Sequence, residues 1–200
     1  LLNVHPTSRR SAKAKINILF TPDDNPTVLT IEKDTRFTST IDGVSYTYTT
    51  NKATSVKPTA TGLYLASSVE ICEGSILRKS YTVNGTDTSQ IFIIPNPNVD
   101  TKTLSVTVQK SSTNSEVTIF RDGNAIDVTT VNNKDNVYYL QEVEEKKYEI
   151  TFGDGVIGKP LEDGNVIFIV YMITSGISGN FASTFKARCN VAGLDSLKYH

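Results

Sequence analysis

Gly153, Gly155 and Gly158 spell G-x-G-x-x-G directly after the strand-like run "YEITF". That spacing suggests a loop whose backbone cradles a dinucleotide pyrophosphate. The chemistry requires a helix after the glycines, because the helix N-terminus faces the phosphate. Here Gly158 is followed by Lys159, Pro160, Leu161, Glu162, Asp163 and Gly164. A helix begun at Pro160 would end almost at once, and Val166 to Tyr171 are β-branched and aromatic. There is no room for the crossover helix that joins parallel strands, and the Lys-Ser/Thr ending of a P-loop is missing. The spacing therefore predicts a hairpin, "YEITF" turning through the glycines into "VIFIVY".

Other residues able to do chemistry are scattered. Asp23, Asp24 and Asn25 offer oxygen donors to a hard cation. They lack the alternating spacing of a calcium loop and read as a solvated turn. Glu142, Glu144, Glu145 and Glu149, beside Lys146 and Lys147, offer residues of the type that pair in glycoside hydrolysis. Nothing in the sequence sets them in a cleft, so a solvated charged face is expected. His5 and His200 sit at opposite ends of the chain, which argues against a catalytic base or a histidine-rich metal site. Serines and threonines abound, but no G-x-S-x-G elbow is present. Cys72 and Cys189 read as two buried thiols rather than a disulfide framework. Arg9 and Arg10 form an exposed pair or hold an acidic partner. Tyr46, Tyr48, Tyr138 and Tyr139 are either core-edge residues or a binding platform. The residues by themselves point to no catalytic group, no cofactor and no metal.

The elements that must carry these residues are strands. Thr, Val, Ile and Tyr dominate, and long Ala/Leu/Glu/Lys runs are missing. Ala14, Ile16 and Ile18 alternate as on a half-buried strand. "TPDDNP" is a loop, because two prolines flank two acids. Asp42-Gly43, Asn84-Gly85, Asp122-Gly123, Asp154-Gly155 and Asp163-Gly164 each carry the residue pair that suits a tight hairpin turn. Pro95 and Pro97 close one strand before "LSVTV" opens the next. Only "SSVEICEGS" and "LQEVEEKKYE" could turn as short helices, and the second equally reads as strand, loop, strand.

The expected fold is mainly β: two antiparallel β subdomains built from hairpins, with little helix. The first covers residues 1–88 and the second residues 89–180 with the FGDG hairpin. Residues 181–200 supply a return strand, alternating at Phe185, Ala187 and Cys189, that can complete the first. A hinge is looked for near Glu73-Gly74 or Phe181. The 200 residues suffice for a real core, and a net charge of -1 gives no electrostatic case for nucleic acid or an anionic membrane. No apolar run approaches the roughly 18 residues of a membrane span. The chain opens on Leu1 and is expected to be an excerpt of a longer protein.

One ordered set of motifs goes further. Phe152-Gly153-Asp154-Gly155, Gly158, Asp163-Gly164-Asn165, an apolar strand with Tyr171, and the run Thr174 to Asn180 with Gly176 and Gly179 resemble the pattern of the baseplate J-like family. These are structural wedge proteins of contractile phage tails and related injection machines. "SRRSAKAKINI" resembles the lead into the family's first β-domain. "TIEKDTRFTSTIDGVSYTY" resembles its next segment, with Asp34 where glycine is usual. "FIIPNPNVDTKTLSVTV" and "VYYLQEVEEKKYEITFGDG" resemble what precedes the glycine motif. The likeness runs over about residues 8 to 190. It implies a scaffold without enzymatic activity, placed in the virion's tail baseplate after assembly in the host cytoplasm. Its partners would be itself, as a dimer in the intact protein, and other wedge subunits. It implies no nucleic acid, no membrane and no small-molecule substrate. Read from the residues alone, a secreted adhesin or carbohydrate-binding β-sandwich and a tail-associated hydrolase remain open.

Overall fold

A computed structural model describes residues 8–22, 24–87 and 89–187, and the backbone of 198–199. It is mainly β. The strands are β1 (Lys13–Phe20), β2 (Leu29–Ile31), β3 (Arg36–Ile41), β4 (Val44–Thr50), β5 (Thr54–Val56), β6 (Tyr64–Glu73), β7 (Ser75–Thr82), β8 (Phe92–Ile94), β9 (Val99–Gln109), β10 (Val117–Asp122), β11 (Val137–Glu142), β12 (Tyr148–Phe152), β13 (Val166–Ile173), β14 (Lys186–Ala187) and β15 (Lys198–Tyr199). Four short 3-10 turns are the helical pieces among the described residues. "SSVEICEGS", read as a possible helical turn, is instead the end of β6, a bend at Gly74 and the first residue of β7. "LQEVEEKKYE" is strand, turn, strand.

The chain forms two compact units. One is Arg10–Ile76 with the described residues from Ile173 onward, and the other is Leu77–Met172 with the described residues before Arg10. The divisions fall inside β7 and β13, earlier than 88/89 and 180/181. Proline and glycine clusters mark loops, but here the chain passes from unit to unit along unbroken strands.

In the discontinuous unit the sheet runs β14-β3-β4-β6-β1-β15, and its ladders are antiparallel. Asp42 and Gly43 join β3 to β4 with φ of +49° and +80°, a two-residue turn whose twist suits the strands it connects. Alternation on these strands buries Ile18, Phe20, Phe37, Tyr48, Tyr64 and Ile71, while β2 and β5 pair as a separate ribbon that adds Leu29 and Ile31. Each such side chain contributes about 1.5–3 kcal/mol by leaving water. Ala182, Phe185 and Ala187 pack on this core, so the return segment completes it. A bulge at Ser68 (φ +56°) shifts the β1–β6 register, and the Asn17 side chain accepts the displaced Ser68 N–H at 2.9 Å.

The continuous unit has the sheet order β7-β13-β9-β10-β11-β12-β8. The sheet curls until its end strands approach. Tyr81 on β7 donates its hydroxyl to the Ile93 carbonyl on β8 at 2.6 Å. Tyr81, Phe92, Phe152 and Phe120 form an edge-to-face chain, with successive centroids 5.5, 5.9 and 5.4 Å apart. Two expectations are corrected here. First, β10 and β11 are parallel, with Arg121 opposite Val137. The connection from Gly123 to Asn136 supplies the dozen or so residues that a parallel pair requires. Second, β12 and β13 do not form a hairpin: β12 lies between β11 and β8, and β13 between β7 and β9. The glycines after "YEITF" carry the chain away from β12 rather than back along it.

The Asp/Asn-Gly signals share this outcome. Among the described residues only Asp42-Gly43 closes a two-residue hairpin. Asp122 instead caps a 3-10 turn by accepting from Asn124 N–H at 3.0 Å. Asn84-Gly85 opens the loop between β7 and β8, and Asp163-Gly164 leads into β13.

Candidate functional site

The family-like motif falls into two places, one in each unit. In the continuous unit Phe152 ends β12 with its ring in the aromatic chain. Gly153 then meets its own loop so closely that a Cβ there would lie 2.1 Å from the Gly158 carbonyl carbon. The Asp154 carboxylate accepts the N–H groups of Val156 (2.8 Å) and Ile157 (2.9 Å). Those bonds, Ile157's foremost, hold its pKa below the ordinary aspartate value. Gly155 and Gly158 have φ of +89° and +84°, and Gly155 N–H closes the loop on the Gly158 carbonyl at 3.1 Å. The loop is anchored to the β10–β11 connection: Gly158 N–H donates to the Asn132 carbonyl (3.1 Å) and Lys159 N–H to that of Asp135 (2.8 Å).

This geometry answers the phosphate-loop spacing. The amides of Val156 and Ile157 point at the chain's own Asp154 carboxylate. No helix follows Gly158. The tip carries Val156 and Ile157 outward, 74% and 40% exposed.

Gly164 and Asn165 set the start of β13. Asn165 is buried. Its side chain accepts from Glu162 N–H at 2.9 Å and donates to the Lys110 carbonyl at 2.9 Å, so one amide fastens this turn to the end of β9.

The other half of the motif, Thr174 to Asn180, lies in the discontinuous unit. Glu73 is the residue there that sequence reasoning valued only as a hinge neighbour. Its buried carboxylate accepts from the Thr174 hydroxyl at 2.5 Å and from Ser175 N–H at 3.1 Å. Gly179 rests on it, since a Cβ there would stand 2.5 Å from Glu73 Cγ. Tyr48 donates its hydroxyl to the Gly179 carbonyl. Burial first, then the Glu73 charge and Tyr46, push the Tyr48 pKa up to about 12. Gly176 (φ +71°) and Asn180 lie within and just after this turn, which displays Ile177 and neighbouring Phe181, both 80% exposed. A strand reading of "VEICEG" contains the missed signal. Val69, Ile71 and Glu73 share one face by period two, so a carboxylate follows two core residues inward.

The remaining candidates do not converge. Glu142 stands opposite Tyr148, and Glu149 opposite Gln141. Glu142 and Glu149 therefore point to opposite faces and do not form a pair across one bond. Glu144 and Glu145 are exposed on the turn between β11 and β12, where Glu145 meets Lys147 at 2.5 Å. Tyr48 and Tyr138 are buried and Tyr46 and Tyr139 half-buried, as core-edge residues are. Arg9 and Arg10 are exposed, as are Asp24 and Asn25. Cys72 is buried in β6. His5, Asp23, Cys189 and His200 lie outside the described residues. Among the described residues, no three His, Cys, Asp or Glu side chains gather as metal ligands. No family model matches the chain, and no curated protein is similar enough to count as a match.

Proposed function

We propose that this chain is a structural part of a contractile-tail baseplate, a wedge subunit like that of T-even-like phages. In this reading it joins wedges around the central hub and rearranges when the sheath contracts. It acts in the virion, pairs with a second copy in the intact protein and binds other wedge subunits. It performs no catalysis.

The observation that carries the reading is at the one position where the sequence departs from the family pattern. Asp34 stands where glycine is usual, and its φ is +68°, the left-handed conformation that glycine adopts without cost. The side chain differs from the glycine of the pattern, and the backbone of Asp34 takes a conformation that glycine favours, which supports the reading. The motif's other residues act in the same architectural way. Gly153, Gly158 and Gly179 stand where a side chain would collide, and Asn165 ties one turn to β9.

A stop codon in the parent gene, followed by electron microscopy of the lysate, tests the proposal. Absence of complete baseplates and tails is the expected result. Normal particles that fail to adsorb would overturn it in favour of a surface-binding module.

A further inference from the structure

Asn84-Gly85 is the sole Asn-Gly pair of the sequence, and both residues are exposed. Such a pair carries its own reactants. The Gly85 nitrogen, unshielded by a side chain, attacks the Asn84 Cγ once it loses its proton. The N–C bond that forms closes a five-membered imide, and the bond from Cγ to Nδ2 breaks. Ammonia departs with the proton that Gly85 gave up. Water then opens either imide carbonyl, leaving aspartate or an isoaspartate whose main chain is longer by one carbon.

The structure restrains both reactants. Gly85 N–H donates to Asp163 Oδ1 at 2.7 Å. A carboxylate there favours the protonated nitrogen and opposes the negative charge that attack requires. The imide nitrogen carries no hydrogen, so this bond must break before the ring closes. Asn84 Oδ1 accepts from the Thr86 N–H (3.1 Å) and the Thr86 hydroxyl (2.7 Å), which pins the side-chain amide. The main chain is held as well: Asn84 N–H donates to Gln90 Oε1 at 2.9 Å, and its carbonyl accepts from Asp87 N–H at 3.0 Å. Two ladder-like bonds bring Asp163 into place. Gly164 N–H donates to the Val83 carbonyl (3.0 Å) and Val83 N–H to the Asn165 carbonyl (2.8 Å). A Cβ on Gly85 would stand 2.9 Å from Asp163 Cβ. The missing side chain that opens the nitrogen to attack is therefore also what lets the carboxylate reach it.

We propose that Asn84 is a modification site, a latent deamidation centre whose rate is governed by Asp163. In the folded chain the carboxylate keeps Gly85 protonated, and conversion is slow. Loss of the Asp163 contact starts it. In the isoaspartyl product the longer main chain carries Gly85 N–H out of register with Asp163, so conversion loosens the end of β7 from the turn ahead of β13. Asn84, Gly85 and Asp163 all belong to the continuous unit, and the inference stands independently of the baseplate reading.

The test is to age the whole chain in warm, mildly alkaline buffer and follow each asparagine by peptide mass spectrometry. Asp163→Ala should convert Asn84 about ten-fold faster than the unaltered chain does. Asp163→Asn keeps an acceptor without the charge and should fall between the two. Asn114-Ser115 is the internal clock, an exposed turn in which, among the described residues, no carboxylate is bonded to the following N–H. Its rate should be the same in all three proteins, which separates loss of the guard from loss of the fold. A free peptide copying Thr82–Asp87 should outpace the unaltered chain. Equal rates in peptide and folded chain would overturn the proposal. So would an Asp163→Ala rate at or below that of the unaltered chain, the result expected if the carboxylate acted as a base. Should Asp163→Ala speed both asparagines, Asp163→Asn decides, and an Asn84 rate there equal to that of the unaltered chain would overturn the proposal.

Discussion

The Glu73 carboxylate accepts a 2.5 Å hydrogen bond from the Thr174 hydroxyl, 101 residues away along the chain. Both residues are buried. Glu73 is the last residue of β6, and Thr174 follows β13, so the bond joins the two stretches that make up the discontinuous unit. Thr174→Val leaves a carboxylate oxygen short of its donor and should cost about 1–3 kcal/mol in urea unfolding. Glu73→Leu combined with Thr174→Val should cost less than the two single changes added together. Strict additivity would show that the two side chains act independently.

Gly153 and Gly155 separate two kinds of glycine requirement. At Gly153 the obstacle is the Gly158 backbone, which has no flexible end to yield. Gly153→Ala should cost about 3 kcal/mol or more, since the loop must open. At Gly155 a Cβ meets only the Pro160 ring at 3.8 Å, so Gly155→Ala should cost about 1 kcal/mol for its positive φ. Urea denaturation of both variants checks the order, and a reversed order would refute the close-contact account.

Tyr48 should titrate late. Its folded pKa of about 12 lies above the ordinary value of 10.0, so between them the folded chain keeps a proton that the unfolded chain has lost. Its contribution to stability is complete below pH 10.0 and is lost as pH rises through about 12. Tyrosinate absorbance should show a late component that Tyr48→Phe removes. Tyr138 is raised still further, by burial and then by Asp122, and remains in that variant.

Asp154 should report from the acid side. Its pKa is lowered, so the bonds to Ile157 and Val156 persist below the usual aspartate midpoint and are lost as pH falls through the folded value. The two amide proton resonances should shift together, with a midpoint below that of an ordinary aspartate. Asp154→Asn should abolish the titration while keeping an acceptor for the loop. A midpoint at or above the ordinary value would show that the carboxylate does not hold these amides in solution.

Much of the local structure was legible in the residues. Ala14, Ile16 and Ile18 alternate on β1, Pro95 closes β8, and Asp42-Gly43 makes the hairpin that its residue types favour. The glycine loop was recognisable as something other than a nucleotide cradle because no helix can follow Gly158. These are statements about neighbours in sequence, where φ preference and side-chain period act directly.

Strand partners were not legible. Asp154-Gly155 and Asp42-Gly43 look alike, yet one hands the chain on to a distant strand and the other turns it back. An Asp-Gly pair biases two φ angles and carries no information about which strand supplies the next ladder. The parallel β10–β11 pair, the curl that brings Tyr81 to Ile93, and the Glu73–Thr174 bond all depend on contacts between residues far apart in sequence. The sequence by itself determined a chain of strands and the backbone bends that glycine, proline and aspartate impose. Tertiary structure alone decided pairing, because backbone hydrogen bonds are chemically the same at every residue and only mutual burial selects among them.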